Sequence, residues 1–352
     1  MHLQVQSQAP EQSPVEFSEQ VVIPPIEVTD TGQVLPIPGQ QRRGLTAPVW
    51  VRAVLRNRKA TAGVLILLVF AVVALLAPVL APGDPGDFVA RPHLPPSAEH
   101  IFGTTGQGQD VFSQTVWGGR ATLSVGILVG ILTTVVGIVV GLSAGYSGGV
   151  TDDVLSLITN VFLIIPSLPL LVVLAAFLGS GNALYFVLVL TVTGWAWPAR
   201  VMRAQTLSLR EKDFVAAAKV AGESGPRIIL SEILPNMLSI VVASFLGSTI
   251  FAIGALAALE FLGLGNPSAV TWGTNLYWAG NNAGLLTGAW WTFVPAGACI
   301  ALVAFAFALV NYAIDELTNP RLRAKRETTG ILKRVPFGRA ASRATPVVSH
   351  AG

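Results

Sequence analysis

The sequence predicts an all-α integral membrane protein with six transmembrane helices, and two observations carry that prediction. Only 12% of its 352 residues are charged and 52% are hydrophobic, where a soluble domain carries about 25% charged residues. Six stretches reach the length of about 20 mostly apolar residues that a bilayer core demands. The mean hydropathy of +0.63 agrees. Nothing alternates in polarity over the ten-residue segments of a β-barrel.

Taken in order, residues 1–45 read as a disordered cytoplasmic tail, rich in Gln, Pro and Glu without helical periodicity. Residues 46–82 give a basic cytoplasmic lead and the first span, about Ala60–Val79, an uncleaved helix too far from the start to be a signal peptide. Residues 83–120 form an extracytoplasmic segment, and residues 121–320 the core. Its spans are about Ala121–Tyr146, Val154–Leu178, Ala183–Val201, Leu238–Leu259 and Trp290–Tyr312, with a cytoplasmic loop at 203–236. Residues 321–352 are a basic cytoplasmic tail.

Charge placement sets the orientation. Lys and Arg cluster before the first span, around the loop after the fourth and in the C-terminal tail, whereas only Arg91 and Arg120 fall on the other side. The positive-inside rule therefore predicts both termini in the cytoplasm.

In the second span Gly126, Gly130, Gly137, Gly141 and Gly145 share a face about 100° wide. Small residues let helices approach closely in lipid, which suits static packing in preference to a sliding surface. Pro166 and Pro169 predict a kink in the third span. Ionisable residues inside the spans are nearly absent, the candidate being Glu260 at the outer end of the fifth, with Asp315 and Glu316 after the sixth. That scarcity argues against a proton-driven carrier or a charged-ring channel. No lysine completes a phosphate-binding Walker loop, so ATP is not held that way here. The histidines form no zinc motif, the single Cys299 has no partner, and no metal site or cofactor in this chain is predicted. His93 and His100 read as surface histidines of the outer loop.

The segment 211–236 is the most informative. Asp213 can cap a short helix that Gly222 and Gly225-Pro226 end, and a second stretch from Arg227 leads to Leu234-Pro235 and the next span. On physical grounds this is either a docking loop or a solvated connector. Ala217-Ala218, Gly222 and Leu234-Pro235 stand at the spacing of the EAA loop, with Ala216 in place of its leading Glu. His100-Ile-Phe-Gly-Thr, Asp110-Val-Phe-Ser, Gly118-Gly-Arg120, Ala144-Gly-Tyr-Ser-Gly-Gly149 with Asp152, Phe261-Leu-Gly-Leu-Gly265, Trp272-Gly273, Trp290-Trp291, Pro295 and Asn319-Pro-Arg-Leu322 follow in order. Over residues 50–325 the chain resembles the ABC importer permeases of the dipeptide/oligopeptide (peptide/nickel) family, specifically their second membrane subunit.

The resemblance implies a type I importer (MetI-like) fold in the bacterial inner membrane. It implies a homologous permease partner, two cytoplasmic ATPases that bind ATP and Mg, and an extracytoplasmic substrate-binding protein; nucleic acid has no part. The chain itself would be non-catalytic, with Asp213, Ala217, Ala218, Gly222, Pro226, Leu234 and Pro235 in the loop coupled to the ATPases. The family usually has Glu-Ala-x-Leu-Ser before Phe-Leu-Gly-Leu-Gly, whereas this sequence reads Leu256-Ala-Ala-Leu-Glu260. Glu260 is therefore expected to restore a carboxylate at the outer mouth, and Glu260→Gln to lower transport without harming assembly. Trp272, Asn281 and Trp291 join it as candidates along the translocation path. Short peptides are the preferred cargo, with oligosaccharides and nickel chelates open, and a stand-alone channel or scaffold is the alternative of a different class.

Overall fold

The computed structural model describes residues 57–178 and 182–318, with side chains as far as Ile314 except that of Leu178. The two tails, the Asn319–Leu322 motif and the side chains of Asp315 and Glu316 lie outside the described residues. Among the described residues four helices are long and apolar enough to cross a membrane, and two bent pairs raise the number to six.

The first, α1 (Arg58–Leu75), starts at Asn57, whose side chain accepts from the Lys59 N–H, and is followed by a short turn, Ala77–Leu80. Next comes α2 (Val111–Ser147), which begins ten residues before the expected span. The extension follows from Asp110, whose Oδ2 accepts from the Ser113 N–H at 2.8 Å and stops the helix from fraying. That first turn packs in protein instead of lipid, so hydropathy does not mark it.

The third span is not one helix. It divides into α3 (Gly149–Ile164) and α4 (Ser167–Leu178), bent by 85° at Ile165-Pro166. The Pro166 ring removes a donor and clashes with the preceding turn, and the break is sharper than the kink expected from sequence. The fourth span likewise bends by 40° between α5 (Ala183–Gly194) and α6 (Ala196–Arg210), and α6 runs nine residues beyond the expected end at Val201. After a short helix, α7 (Asp213–Val220), come α8 (Leu238–Phe261), the shorter helix α9 (Trp272–Asn281) and α10 (Val294–Thr318).

The glycine face of α2 is a packing surface. Gly126 and Gly130 lie against Ile253 and Thr249 of α8, whereas Gly137, Gly141 and Gly145 lie against Pro198, Ala199, Met202 and Thr206 of α6. A Cβ at any of the five would come within 3.0 Å of its neighbour. One face thus seats two helices, α8 along its N-terminal half and α6 along its C-terminal half.

Candidate functional site

Three regions bear on function: the segment between α6 and α8, a cleft within the bundle, and the cap that α9 and the segment before α2 form at the opposite end. In the first, α7 begins at Asp213, which occupies its first turn, with Lys212 as the N-cap residue and no capping side chain. This corrects the expectation that Asp213 caps the helix; its carboxylate faces the positive end of the helix dipole instead. The C-terminus closes as a Schellman motif. The Glu223 N–H donates to the Ala218 carbonyl and the Gly222 N–H to the Lys219 carbonyl, both at 3.1 Å, with Gly222 at φ +81°.

Pro226 then lies in the first turn of a helical stretch that runs through a π-helical turn, Ile228–Ile233, to Leu234–Asn236. The Leu234 N–H reaches back to the Ile229 carbonyl. The wider turn makes room for Pro235, which has no N–H to donate. Val215, Ile228, Ile233 and Met237 are buried with Leu142 of α2 and Met202 of α6, so the segment is anchored in the bundle. Its other face is free: Val220 is 90% exposed, and Phe214 and Ala217 are exposed with it. An exposed apolar face on a well-anchored short helix is a surface suited to another protein.

Within the bundle two adjoining clefts of about 390 and 430 Å³ share Trp197, Gly247 and Ser248. One is walled by the Pro166 bend and by Thr133, Thr193 and Phe251; the other runs along Ser239, Ala243 and Ser244 of α8 towards Asn311. Neither is lined by a charged side chain. The small-residue face of α8 escapes a hydropathy reading, although Ala243, Ser244, Gly247 and Ser248 recur at helical spacing and were legible as a stripe.

In the cap, the four path candidates do not line these clefts. Glu260 is 5% exposed, so it is neither solvated nor at an open mouth. Its Oε2 accepts from Thr271 Oγ1 at 2.6 Å, and Thr271 with Thr274 forms the capping box that starts α9. The buried acid therefore ties α9 to the end of α8. Trp272 is 1% exposed, its backbone N–H donating to Thr122 Oγ1 and its Nε1 to the Thr115 carbonyl of α2. Trp291 is half-buried and donates through Nε1 to the Thr104 carbonyl, whereas Asn281 is exposed and donates through Nδ2 to the Tyr277 carbonyl. Sequence placed these side chains on the outer side and missed that they brace it. His93 is not a plain surface residue either, since its Nε2 lies 2.9 Å from the Asn282 carbonyl. His100 pairs through Nδ1 with Asp110 Oδ1 at 3.2 Å.

The chain is similar to known proteins over most of its length. Residues 137–324 match the family described as the inner membrane component of binding-protein-dependent transport systems, and residues 49–96 match the N-terminal TM domain of oligopeptide transport permease C. The dipeptide transport system permease protein DppC of Bacillus subtilis is 34% identical over 283 residues, covering 79% of this chain and 86% of that protein. The oligopeptide transport system permease protein OppC of Mycobacterium tuberculosis is 32% identical over 279 residues, covering 78% and 95%. A solved chain of the inward-facing MetNI methionine ABC transporter aligns over 58% of this chain and 97% of its own, with TM-score 0.45 and 22% identity. The described residues are mostly helical, without strands, and the protein is a multi-pass membrane chain that belongs to the family of inner membrane components of binding-protein-dependent transport systems.

Proposed function

We propose that the chain is the second membrane subunit of an ATP-driven importer of short peptides, forming half of the translocation path. A homologous permease supplies the other half, two cytoplasmic ATPases bind ATP and Mg and hydrolyse the nucleotide, and a substrate-binding protein delivers the cargo from outside. The observation that carries the reading is the anchored segment at 211–236, which presents Phe214, Ala217 and Val220 to a partner while its opposite side is built into the bundle. Asp213, Ala217, Ala218, Gly222, Pro226, Leu234 and Pro235 shape that segment. The names of the relatives, dipeptide and oligopeptide permeases, support peptide as the cargo. The clefts beside Trp197 and Ser248 are its path through this subunit, and their uncharged hydroxyl and aromatic lining suits cargo of varied side-chain charge.

Six Lys and Arg residues between Arg200 and Arg227 surround the segment, and Arg91 and Arg120 lie towards the other end. This asymmetry supports a cytoplasmic segment, cytoplasmic termini and residence in the bacterial inner membrane. The test is to purify the tagged chain from native membranes and reconstitute what accompanies it. An ATPase pair should co-purify, and vesicles should take up labelled di- to pentapeptides only with the binding protein and ATP. Flux without ATP would favour the stand-alone channel, and uptake of oligosaccharide or nickel chelate in place of peptide would reassign the cargo.

A further inference from the structure

One ion pair among the described residues stands apart from the surface pairs. Arg203 of α6 donates through Nε to Asp152 Oδ1 at 2.5 Å and through Nη2 to Oδ2 at 2.7 Å, a two-point match of guanidinium to carboxylate. Asp152 is held in place by Ser156, whose Oγ donates to Oδ1 at 2.9 Å, and its side chain is only 15% exposed.

What this pair holds matters because α3 is otherwise held mainly at its far end, where Phe162 and Leu163 pack with Val136 and Val140 of α2. Of its sixteen residues only Thr159 is buried. Its second attachment towards α6 is Phe162, whose ring meets that of Trp195, the N-cap residue of α6, edge-on with centroids 5.2 Å apart, in a cluster with Ala196 and Ala199. The two attachments, 152 to 203 and 162 to 195, run in opposite chain directions, so α3 lies antiparallel along α6. They are about 15 Å apart on α3 and about 12 Å apart on α6 at 1.5 Å per residue. Two separated attachments, one on α6 and one at its N-cap, remove the swivel that a single one would leave.

The geometry of both ends then becomes informative. At its cytoplasmic end α6 leads into α7 across only Glu211 and Lys212. The turn that enters α3 is also gripped from that side: Arg210 Nη1 donates to the Tyr146 carbonyl at 3.3 Å, and Lys219 Nζ sits 5.6 Å from the Tyr146 ring centroid. At its far end α3 becomes the Pro166 bend that walls the cleft. We propose that the Asp152–Arg203 pair is a positioning clamp that makes α3 ride with α6 as one body, so that displacement of the α7 segment is delivered to the bend beside the cleft. The inference rests on the coupling role given above to α7.

Two measurements on the reconstituted complex test it. Spin labels at Leu157→Cys in α3 and Ser208→Cys in α6, both exposed, with Cys299→Ser removing this chain's only native thiol, should keep one narrow separation with and without a non-hydrolysable ATP analogue. In Asp152→Asn the separation should broaden or shift with nucleotide. Uptake per ATP hydrolysed should fall about fivefold in Asp152→Asn, the scale of one partly exposed pair, while ATPase co-purification and basal hydrolysis stay as in the parent. The exchange Asp152→Arg with Arg203→Asp should recover both readouts, which a merely local packing role would not do. An Asp152→Asn complex with parental label separation and parental uptake per ATP overturns the proposal, and so does an assembled exchange variant that recovers neither. Should Asp152→Asn fail to assemble, Arg203→Lys keeps the charge and loses the second bond; an intermediate loss supports the clamp, and failure of that variant to assemble overturns it in favour of a folding role. A parent complex that takes up no peptide refutes the cargo reading alone, because the label separation does not depend on cargo.

Discussion

Replacing Gly222 with alanine isolates what ends α7. Gly222 sits at φ +81°, and a Cβ there would meet nothing within 4 Å, so the substitution adds no clash and tests backbone conformation alone. A left-handed conformation costs an L-residue about 1–2 kcal/mol relative to glycine. That cost falls on the two bonds the motif closes, from Gly222 to Lys219 and from Glu223 to Ala218. Local opening of the motif should therefore become about 5- to 30-fold more frequent, at about 1.4 kcal/mol per tenfold. Hydrogen–deuterium exchange on the peptide covering 218–224 reads this directly, with faster exchange confined to that peptide. Gly222→Asn, which tolerates the left-handed region better, should fall between the two. Parental exchange in Gly222→Ala, or equal effects of Ala and Asn, would refute the argument that backbone handedness closes this helix.

Three further outcomes follow from the packing. Gly141→Ala would set a Cβ 2.5 Å from the backbone carbonyl of Ala199, which cannot rotate away, so it should lose about 1–3 kcal/mol; thermal unfolding in detergent should show a lower Tm, and Gly297→Ala, where nothing lies within 4 Å, should not. Glu260→Ala removes the acceptor of the Thr271 hydroxyl and should cost about 1–3 kcal/mol, whereas Glu260→Gln keeps an acceptor and should assemble with near-parental Tm; equal Tm for both variants would remove the bracing role. Trp272→Phe leaves the buried Thr115 carbonyl without its indole donor, with a loss of about 1–2 kcal/mol expected in denaturant unfolding, and an unchanged midpoint would show that water or a neighbour takes its place.

Much of the architecture was legible because lipid imposes one demand, length of apolar chain, and the sequence meets it with plain margins. Reading failed where protein replaces lipid as the surroundings. The start of α2 at Val111 and the run of α6 to Arg210 are amphipathic turns beyond the apolar core, and hydropathy stops short of both. Pro166 announced a kink, but the angle of the 85° break depends on tertiary packing around α3, against α2 as well as α6, that local sequence does not carry. In the segment at 211–236, Gly222 and the prolines were readable because they act through their own backbones. Glu260 was not, because its partner Thr271 is set by a turn eleven residues away that aligns α9 on α8. An acid at the end of an apolar helix looks solvated until that turn is known.

The divided glycine face of α2 has a consequence for how the chain can vary. Gly126 and Gly130 are keyed to one neighbour and Gly137, Gly141 and Gly145 to another, on a single unbroken helix. One residue inserted between Gly130 and Gly137 would turn the lower three notches by about 100° away from α6 while leaving the upper two on α8. Among the six intervening positions the exposed Ile131 and Val135 can exchange apolar side chains, but the number of positions is not free. The helix works as a ruler whose graduations fix where two neighbours sit against each other.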